Sequence, residues 1–310
     1  MNETATANAA QPVDWFTFGT DQPAGWRVDY DSESLKLTGS SAYDSLSVAE
    51  TDRWTVILDG RLHNNDALAG YIQSGNDTLP ISDAELVGRA FDVIGTDIFA
   101  EIHGVFSVII WDRTTDKLLA ARDPLGIWPL FYYRKHNSLH LSTSLTLLKD
   151  IAEPPTSLNR PVLAIWVSNV WMSHDETPFE GIRRIPSQYY FVAERGDIAL
   201  TRYWQPTSKD GKIDWLVSGN PAEFQKLLWE AVDGLSAHEG PNAIFLSGGL
   251  DSVSVAMIAT DIARERGEPL PLALSVRMPG EDADESAVQT HGEEAWPPTT
   301  HHSLTTTNRT

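Results

Sequence analysis

The stretch PNAIFLSGGLDSVSVA, residues 241–256, constrains the fold of this chain more than any other part of it. A short apolar run at 242–246 ends in Ser-Gly-Gly, and the pattern of residues 250–266 predicts a helix. A strand, a glycine turn and a helix in this order present backbone N–H groups and a helix N-terminus to an anion. The stretch therefore predicts a phosphate-binding loop.

The residue types within the loop suit a phosphate ligand. Gly248 and Gly249 allow the backbone to pass close to an anion, because neither carries a Cβ. Ser247 and Ser252 supply hydroxyl donors on either side of Leu250 and Asp251, and the Asp251 carboxylate can hold a magnesium ion that bridges phosphate oxygens. No lysine follows the glycines, so a γ-phosphate loop is excluded, and the pattern is not a nucleophile elbow. The alternative is a tight turn that only closes a strand–helix unit.

Composition excludes several classes of function. The chain has 310 residues, enough for two domains, and 41% of them are hydrophobic, which is typical of a globular protein. The formal net charge of −20 argues against nucleic acid or an anionic membrane as a partner. There is no cysteine, which excludes disulfides, thiolate metal sites and a cysteine nucleophile within these residues.

The N-terminus lacks the basic and apolar regions of a signal peptide, and no apolar run is long enough to span a bilayer. We therefore expect a soluble cytoplasmic protein.

The first two thirds of the chain predict sheets with a few helices. Ser82 is a candidate N-cap for a helix at 83–94, and a further hairpin is predicted from 188–193 and 198–204. Short strands separated by turns predict one antiparallel meander. These strands are 104–111, 117–121, 130–134 and 139–143.

A change in composition at 206–220 predicts a linker between two domains. An amphipathic helix is predicted from Pro221 to about His238, with one buried apolar stripe. The stripe comprises Phe224, Leu227, Leu228, Ala231, Val232 and Leu235. Apolar strands at 243–246 and 270–276 flank the loop and its helix, which predicts the start of a parallel α/β domain. The loop then lies at the C-terminal end of a strand, where such sheets bind ligands.

Three passages, in this order, carry a resemblance to a known family. GVFSVIIWDRTTDKLLAARDPLGIWPLFYY resembles a passage of glutamine amidotransferase domains, and TPFEGIRRIPSQYYF followed by RYWQP resembles the segment that joins such a domain to a synthetase domain. SGGLDS resembles the pyrophosphate loop of ATP pyrophosphatases. Together they resemble the asparagine synthetase family from about residue 40 to residue 290. This family includes β-lactam synthetases and lasso-peptide cyclases.

For residues 1–205 the resemblance implies an α+β domain of the N-terminal-nucleophile type, an αββα sandwich. In active members a cysteine at the mature N-terminus releases ammonia from glutamine, but this chain has Asn2 after Met1 and no cysteine. Asp59 and Gly60 stand where the family has Asn-Gly, and Asp83 stands at its glutamine-binding aspartate. We interpret these three residues as vestigial, and we expect no catalytic residue in this domain.

For residues 221–290 the resemblance implies a partial synthetase domain of the adenine nucleotide α-hydrolase-like fold, in which ATP with Mg²⁺ activates a carboxylate. Ser247, Gly248, Gly249, Leu250 and Ser252 would hold pyrophosphate, Asp251 the metal, and the backbone of Leu274, Ser275 and Val276 would lie beside adenine. The expected function is an ATP-dependent amide-bond-forming ligase acting on an amino acid or peptide carboxylate. The alternatives are an intramolecular cyclase of the lasso-peptide or β-lactam type and a non-catalytic nucleotide-binding partner.

The last twenty residues, 291–310, show almost no periodicity, which predicts coil and a disordered tail. The codons for Ala295-Trp296-Pro297-Pro298 can specify Leu-Gly-Leu when they are shifted by one base. We therefore expect that a frameshift near 290–295 produced this C-terminus and left a truncated synthetase domain that is inactive alone.

Overall fold

The structure is a computed structural model. The residues that it describes are 25–31, 34–40, 45–72, 81–136, 138–151, 157–170, 173–194, 197–207, 221–236, 242–247, 249–277 and 302–305. The chain divides into two compact units, the first comprising 1–61, 74–100 and 105–204, and the second 62–73, 101–104 and 205–310. Most of the predicted linker, 208–220, lies outside the described residues.

Eleven strands and five helices are described before residue 204. The strands are β1 (Gly25–Asp31), β2 (Ser34–Ser40), β3 (Leu46–Glu50), β4 (Trp54–Leu62), β5 (Gly104–Asp112), β6 (Lys117–Arg122), β7 (Phe131–Lys135), β8 (Ser138–Ser142), β9 (Ile182–Arg184), β10 (Tyr189–Glu194) and β11 (Asp197–Arg202). The helices are α1 (Asn65–Ile72), α2 (Asp83–Ile94), α3 (Ile98–Glu101), α4 (Leu145–Ile151) and α5 (Arg160–Val167).

The strands form two sheets. One has five strands in the order β2-β1-β8-β7-β9, and the other has six in the order β11-β10-β6-β5-β4-β3. Their facing sides share one hydrophobic core, which takes Trp26, Val28 and Leu141 from the first sheet and Ile57 and Phe191 from the second. Because side chains alternate along a strand, each sheet turns every second residue toward this core.

The outer faces of both sheets are covered by helices. Trp54 lies against Gly88 of α2, on the face of β4 opposite to Ile57. Leu148 of α4 packs on Phe131 and Ile182, outside the five-stranded sheet. The order helix, sheet, sheet, helix is the expected αββα sandwich, and the predicted fold class is confirmed.

The single meander that was predicted from 104 to 143 is wrong. β5 pairs with β6 in the six-stranded sheet, whereas β7 pairs with β8 in the five-stranded sheet. Between the two hairpins the chain crosses from one sheet to the other through the turn at Asp123, which includes Gly126 with φ of +68°. Short-range turn signals fix each hairpin but not the sheet that it joins.

The second unit contains a parallel sheet. After α6 (Pro221–Leu235) come β12 (Ala243–Phe245), α7 (Leu250–Arg266), β13 (Leu272–Arg277) and β14 (His302–Thr305). The strand order is β12-β13-β14, and both pairs are parallel, as the sequence predicts for the first two. Among the described helices, none has the length and apolar character needed to cross a membrane.

The buried stripe that was predicted on α6 is only partly correct. Val232 is buried and packs with Leu228 and Trp229 against α7. Phe224 and Leu227 are each 58% exposed, and Leu235 is 59% exposed. α6 meets α7 along one narrow seam, so the rest of its apolar surface is not covered by described residues.

The prediction of coil for the tail is wrong at His302–Thr305. This segment forms β14, and Leu304 pairs with Val276 of β13. Four residues are too few to show a period, so only the pairing with β13 reveals the strand. Residues 291–301 and 306–310 lie outside the described residues.

Candidate functional site

The loop between β12 and α7 lies at the C-terminal end of a parallel strand. Leu246 is buried, and the next residue, Ser247, is exposed. Gly249 is the N-cap of α7, with φ of −71° and ψ of 153°, and Gly248 lies outside the described residues. The strand, turn and helix that were predicted around the motif are confirmed.

The two loop serines hold the turn together. Ser252 Oγ donates to the carbonyl of Gly249 at 3.0 Å, so Ser247 Oγ is the donor in the 3.1 Å contact between the two hydroxyls. Gly249 N–H in turn donates to Ser247 Oγ at 3.3 Å. Both hydroxyl protons are therefore used inside the loop in this conformation, and the hydroxyl oxygens brace the backbone.

The backbone N–H groups at the start of α7 are the strongest candidates for an anion contact. The first helical hydrogen bond runs from Val253 N–H to the carbonyl of Gly249 at 3.1 Å. The N–H groups of Leu250, Asp251 and Ser252 precede it, at the positive end of the helix dipole. Leu250 is 82% exposed, so no described residue covers this end of the helix at Leu250.

Asp251 lies exposed in the first turn of the same helix. Within the described ranges no three histidine, aspartate or glutamate side chains come together as a metal site. One carboxylate beside phosphate oxygens and water nevertheless suits Mg²⁺, which usually takes one or two protein carboxylates in nucleotide sites. The residues that are present therefore fit a magnesium ion that arrives with a nucleotide.

The neighbouring strand β13 is hydrogen-bonded to the residue that precedes the loop. Leu246 N–H donates to the carbonyl of Leu274 at 2.8 Å, and the buried Ser275 Oγ donates to the carbonyl of Leu246 at 2.9 Å. Both contacts fix the residue that immediately precedes Ser247. The side chain of Val276 lies outside the described part, and its backbone pairs with Leu304.

Asp59 and Gly60, in β4 of the first unit, have structural partners. The buried Asp59 carboxylate accepts hydrogen bonds from Trp26 Nε1 and from Ser45 Oγ, each at 2.6 Å. Gly60 has φ of +131°, and a Cβ there would meet the carbonyl oxygen of Val105 at 2.2 Å. Both residues thus serve the packing of the sandwich.

Asp83 is half-buried in the first turn of α2. The predicted N-cap of that helix is confirmed, since Ser82 Oγ accepts from Glu85 N–H at 3.2 Å. An acidic residue in the first turn also interacts favourably with the helix dipole. The start of α2 therefore accounts for an acidic residue at position 83 without a bound glutamine.

The turn that begins at Arg122 contains a buried charged group. The buried Arg122 guanidinium donates to the carbonyls of Trp128 at 2.7 Å, of Ile185 at 3.3 Å and of Gly126. Burial, with a smaller contribution from the positive charge of Arg184, lowers the pKa of Arg122 to about 10. The sequence signal that was missed is the pair Arg183-Arg184, which places a second guanidinium beside this turn.

The fold and the loop define a class: an N-terminal-nucleophile-type sandwich followed by a parallel α/β unit with a phosphate-loop motif. The family model described as "Glutamine amidotransferase domain" matches residues 41–204, more than half of the chain. The family model described as "Asparagine synthase" matches residues 223–310. The chain belongs to the asparagine synthetase family.

Two curated relatives illustrate the similarity. Asparagine synthetase [glutamine-hydrolyzing] 3 of Bacillus subtilis (strain 168) is 26% identical over 223 residues, which are 70% of this chain and 35% of the relative. Amidase chyE of Penicillium rubens is 26% identical over 216 residues, which are 67% of this chain and 31% of the relative. The chain thus spans about a third of the length of these relatives.

Among solved structures, glutamine phosphoribosylpyrophosphate amidotransferase from B. subtilis, complexed with ADP and GMP, is 13% identical with a TM-score of 0.37. The alignment covers 91% of this chain and 74% of that chain.

The asparagine synthase match also corrects the expectation for the tail. The family pattern does not end near residue 290, because the match continues to residue 310. β14 falls within this continued match. The shifted reading frame that we expect at 290–295 stays a prediction.

Proposed function

We propose that the chain takes part in ATP-dependent amide-bond formation, with the SGGLDS loop as its nucleotide site. A carboxylate oxygen attacks the α-phosphorus of ATP, pyrophosphate leaves and an acyl-adenylate forms. An amine then attacks the acyl carbon, AMP leaves and the amine loses a proton. The observation that carries the proposal is the loop itself, at the C-terminal end of β12 and the N-terminus of α7.

The loop and the neighbouring strand would contact different parts of ATP·Mg. The N–H groups of Leu250, Asp251 and Ser252 face pyrophosphate oxygens, and the bracing of Ser247 by Ser252 holds these groups in place. The Asp251 carboxylate would hold Mg²⁺, and the ion would supply positive charge to the leaving pyrophosphate. Adenine lies beside the strand end near Val276, and Leu274 and Ser275 keep β13 attached to the loop strand.

The source of nitrogen distinguishes this chain from glutamine-dependent relatives. These 310 residues contain no cysteine, so they supply no thiolate to attack glutamine. Asp59 and Gly60 support the sandwich packing instead. The proposal therefore includes free ammonia or an amine of the substrate itself as nucleophile, as in a lasso-peptide or β-lactam type of cyclase.

The partners included in the proposal are ATP and a carboxylate on an amino acid or peptide, in the cytoplasm. Nucleic acid is not included, because 43 acidic residues against 23 lysines and arginines repel a polyanion. The second candidate is a non-catalytic nucleotide-binding partner, which the lone carboxylate at the described part of the loop favours. Exchange of labelled pyrophosphate into ATP that depends on a carboxylate substrate would separate the two candidates.

Substitutions in the loop should abolish nucleotide binding. In Gly249→Val the new side chain would occupy the space of the phosphate, whereas the described part of the chain places only Ser247 Oγ near the new Cβ, at 3.3 Å. We expect at least a tenfold loss of ATP·Mg affinity, equivalent to about 1.4 kcal/mol. Asp251→Ala should remove the dependence on Mg²⁺. Isothermal titration of the full chain measures both effects.

The matched control is Asp261→Ala, which removes an exposed carboxylate from the same helix near its other end, where it contacts Arg264. ATP·Mg affinity should be unchanged in this variant. If ATP·Mg binds to Gly249→Val and Asp251→Ala as it does to the unsubstituted chain, the loop is not the nucleotide site.

The chain should release no glutamate from glutamine. The reason is the absence of a cysteine nucleophile from its sequence. An assay of glutamate production against a no-enzyme blank measures this directly. Turnover that tracks the protein through purification would require another nucleophile, and the residues near Met1 would be the first to substitute.

A further inference from the structure

A cavity of about 500 Å³ lies in the first unit, beside the turn that connects the two sheets. Two arginines line it, Arg122 from the end of β6 and Arg184 from β9, together with Ser187. Leu125 and Ile127 contribute apolar side chains that are 74% and 58% exposed. The cavity therefore combines two positive charges with an apolar rim.

Arg184 is the unusual member of this set. Its half-buried guanidinium lies over the ring of Phe131, 5.6 Å from the ring centre, and it has no carboxylate or hydrogen-bond acceptor among the residues that the structure describes. Its neighbour Arg183, by contrast, forms an ion pair with Asp175 at 2.5 Å. A partly buried cation without a counterion is costly, because burial disfavours the charged form.

Arg122 adds a second positive charge to the cavity. Three of its five N–H donors are used on backbone carbonyls, which leaves two for another acceptor. The carboxylate of Asp123 lies nearby, but its oxygens accept the N–H groups of Ile127 and Trp128 at 2.9 and 2.8 Å. The positive charges of Arg122 and Arg184 are close enough to lower the pKa of Arg122.

The chain is rich in acidic residues, yet none of the described carboxylates pairs with Arg184. The chain carries 43 acidic residues, so a carboxylate partner for Arg184 would be readily available. The described acids near the cavity are instead occupied: Asp175 by Arg183 and Ser173, and Asp123 by backbone N–H groups. An external anion would satisfy this pair of guanidinium groups.

We propose that this cavity binds a small organic carboxylate with an apolar tail, held by Arg184 and Arg122 and covered by Leu125 and Ile127. A guanidinium fork matches the two oxygens of a carboxylate, and Ser187 Oγ offers a further donor. A phosphate dianion fits less well, because the apolar rim would gain nothing from it. The site lies within the sandwich and does not depend on the ATP loop.

The test is a titration of the full chain at constant ionic strength with sodium hexanoate, sodium acetate and inorganic phosphate. Hexanoate should bind on the order of tenfold more tightly than acetate, since each fully buried methylene contributes about 0.8 kcal/mol and the rim covers only part of the tail. Arg184→Gln should weaken hexanoate binding by roughly tenfold or more. Phosphate should bind more weakly than hexanoate.

Two control variants show whether hexanoate binding is specific to this cavity. Arg134→Gln removes an exposed guanidinium from β7, outside the residues that line the cavity, and should leave hexanoate affinity unchanged. Gly249→Val should also leave it unchanged, because the ATP loop is not involved. Unchanged circular dichroism of Arg184→Gln shows that the fold is retained. The proposal is overturned if hexanoate does not bind, if Arg184→Gln binds it as well as the unsubstituted chain does, or if phosphate binds more tightly.

Discussion

Gly60→Ala is expected to destabilise the first unit by about 3–5 kcal/mol, the sum of an overpacking cost and of backbone strain. The new Cβ would lie 2.2 Å from the carbonyl oxygen of Val105 and 2.7 Å from Phe106 Cα. These are backbone atoms of the neighbouring strand β5, so they cannot rotate away as a side chain would. The φ of +131° is itself unfavourable for any residue with a Cβ.

Urea unfolding followed by circular dichroism measures the effect. With a slope of about 2 kcal/mol per molar urea, the midpoint should fall by roughly 2 M. The control is Gly70→Ala in α1, where no described atom lies within 4 Å of the new Cβ, and it should be neutral or stabilising by up to about 1 kcal/mol. A loss of less than about 1 kcal/mol in Gly60→Ala would contradict the close approach of β4 and β5.

Phe191→Ala is expected to cost about 3–5 kcal/mol, the usual range for removing a buried aromatic side chain. Phe191 is fully buried in β10, and its ring stacks on Tyr132 of the opposite sheet with ring centres 5.6 Å apart. The substitution would therefore leave a cavity between the two sheets, which rigid strands cannot close.

The matched control is Leu200→Ala. Leu200 lies directly opposite Phe191 in the register of β10 and β11 but is 48% exposed on the edge strand. Its loss should cost about 1 kcal/mol or less. Equal destabilisation by the two variants, measured by the same urea unfolding, would show that the sheets do not pack through Phe191.

The sequence predicted the elements whose signals are local. The helix at 83–94 begins after the predicted cap Ser82, and Leu86, Ala90 and Phe91 are buried as the period of the helix predicts. The hairpin of β10 and β11 also forms where its two strands were predicted. Caps, turns and periodicity depend on contacts within a few residues, so they are visible in the sequence alone.

The prediction from sequence fails where a strand is defined by pairing with residues that are distant in the chain. In β1, which pairs with β2, Trp26, Val28 and Tyr30 alternate as in a half-buried strand. The alternation was present, but its partner strand β8 lies more than a hundred residues away in the chain. In the same way, β14 is defined by pairing with β13 rather than by its own composition.

The candidate nucleotide site could be predicted almost entirely from the chain itself, because SGGLDS, the strand before it and the helix after it are contiguous. Only the tertiary structure decided that the hairpins of β5–β6 and β7–β8 belong to different sheets and that four of the six residues of the α6 stripe are exposed. It also decided that Arg184 lies beside Arg122 with no described carboxylate to pair with it. The physical reason is the range of the interactions. Backbone hydrogen bonding and side-chain periodicity act over a few residues, whereas burial and the pairing of charges depend on which remote segments the packed core brings together.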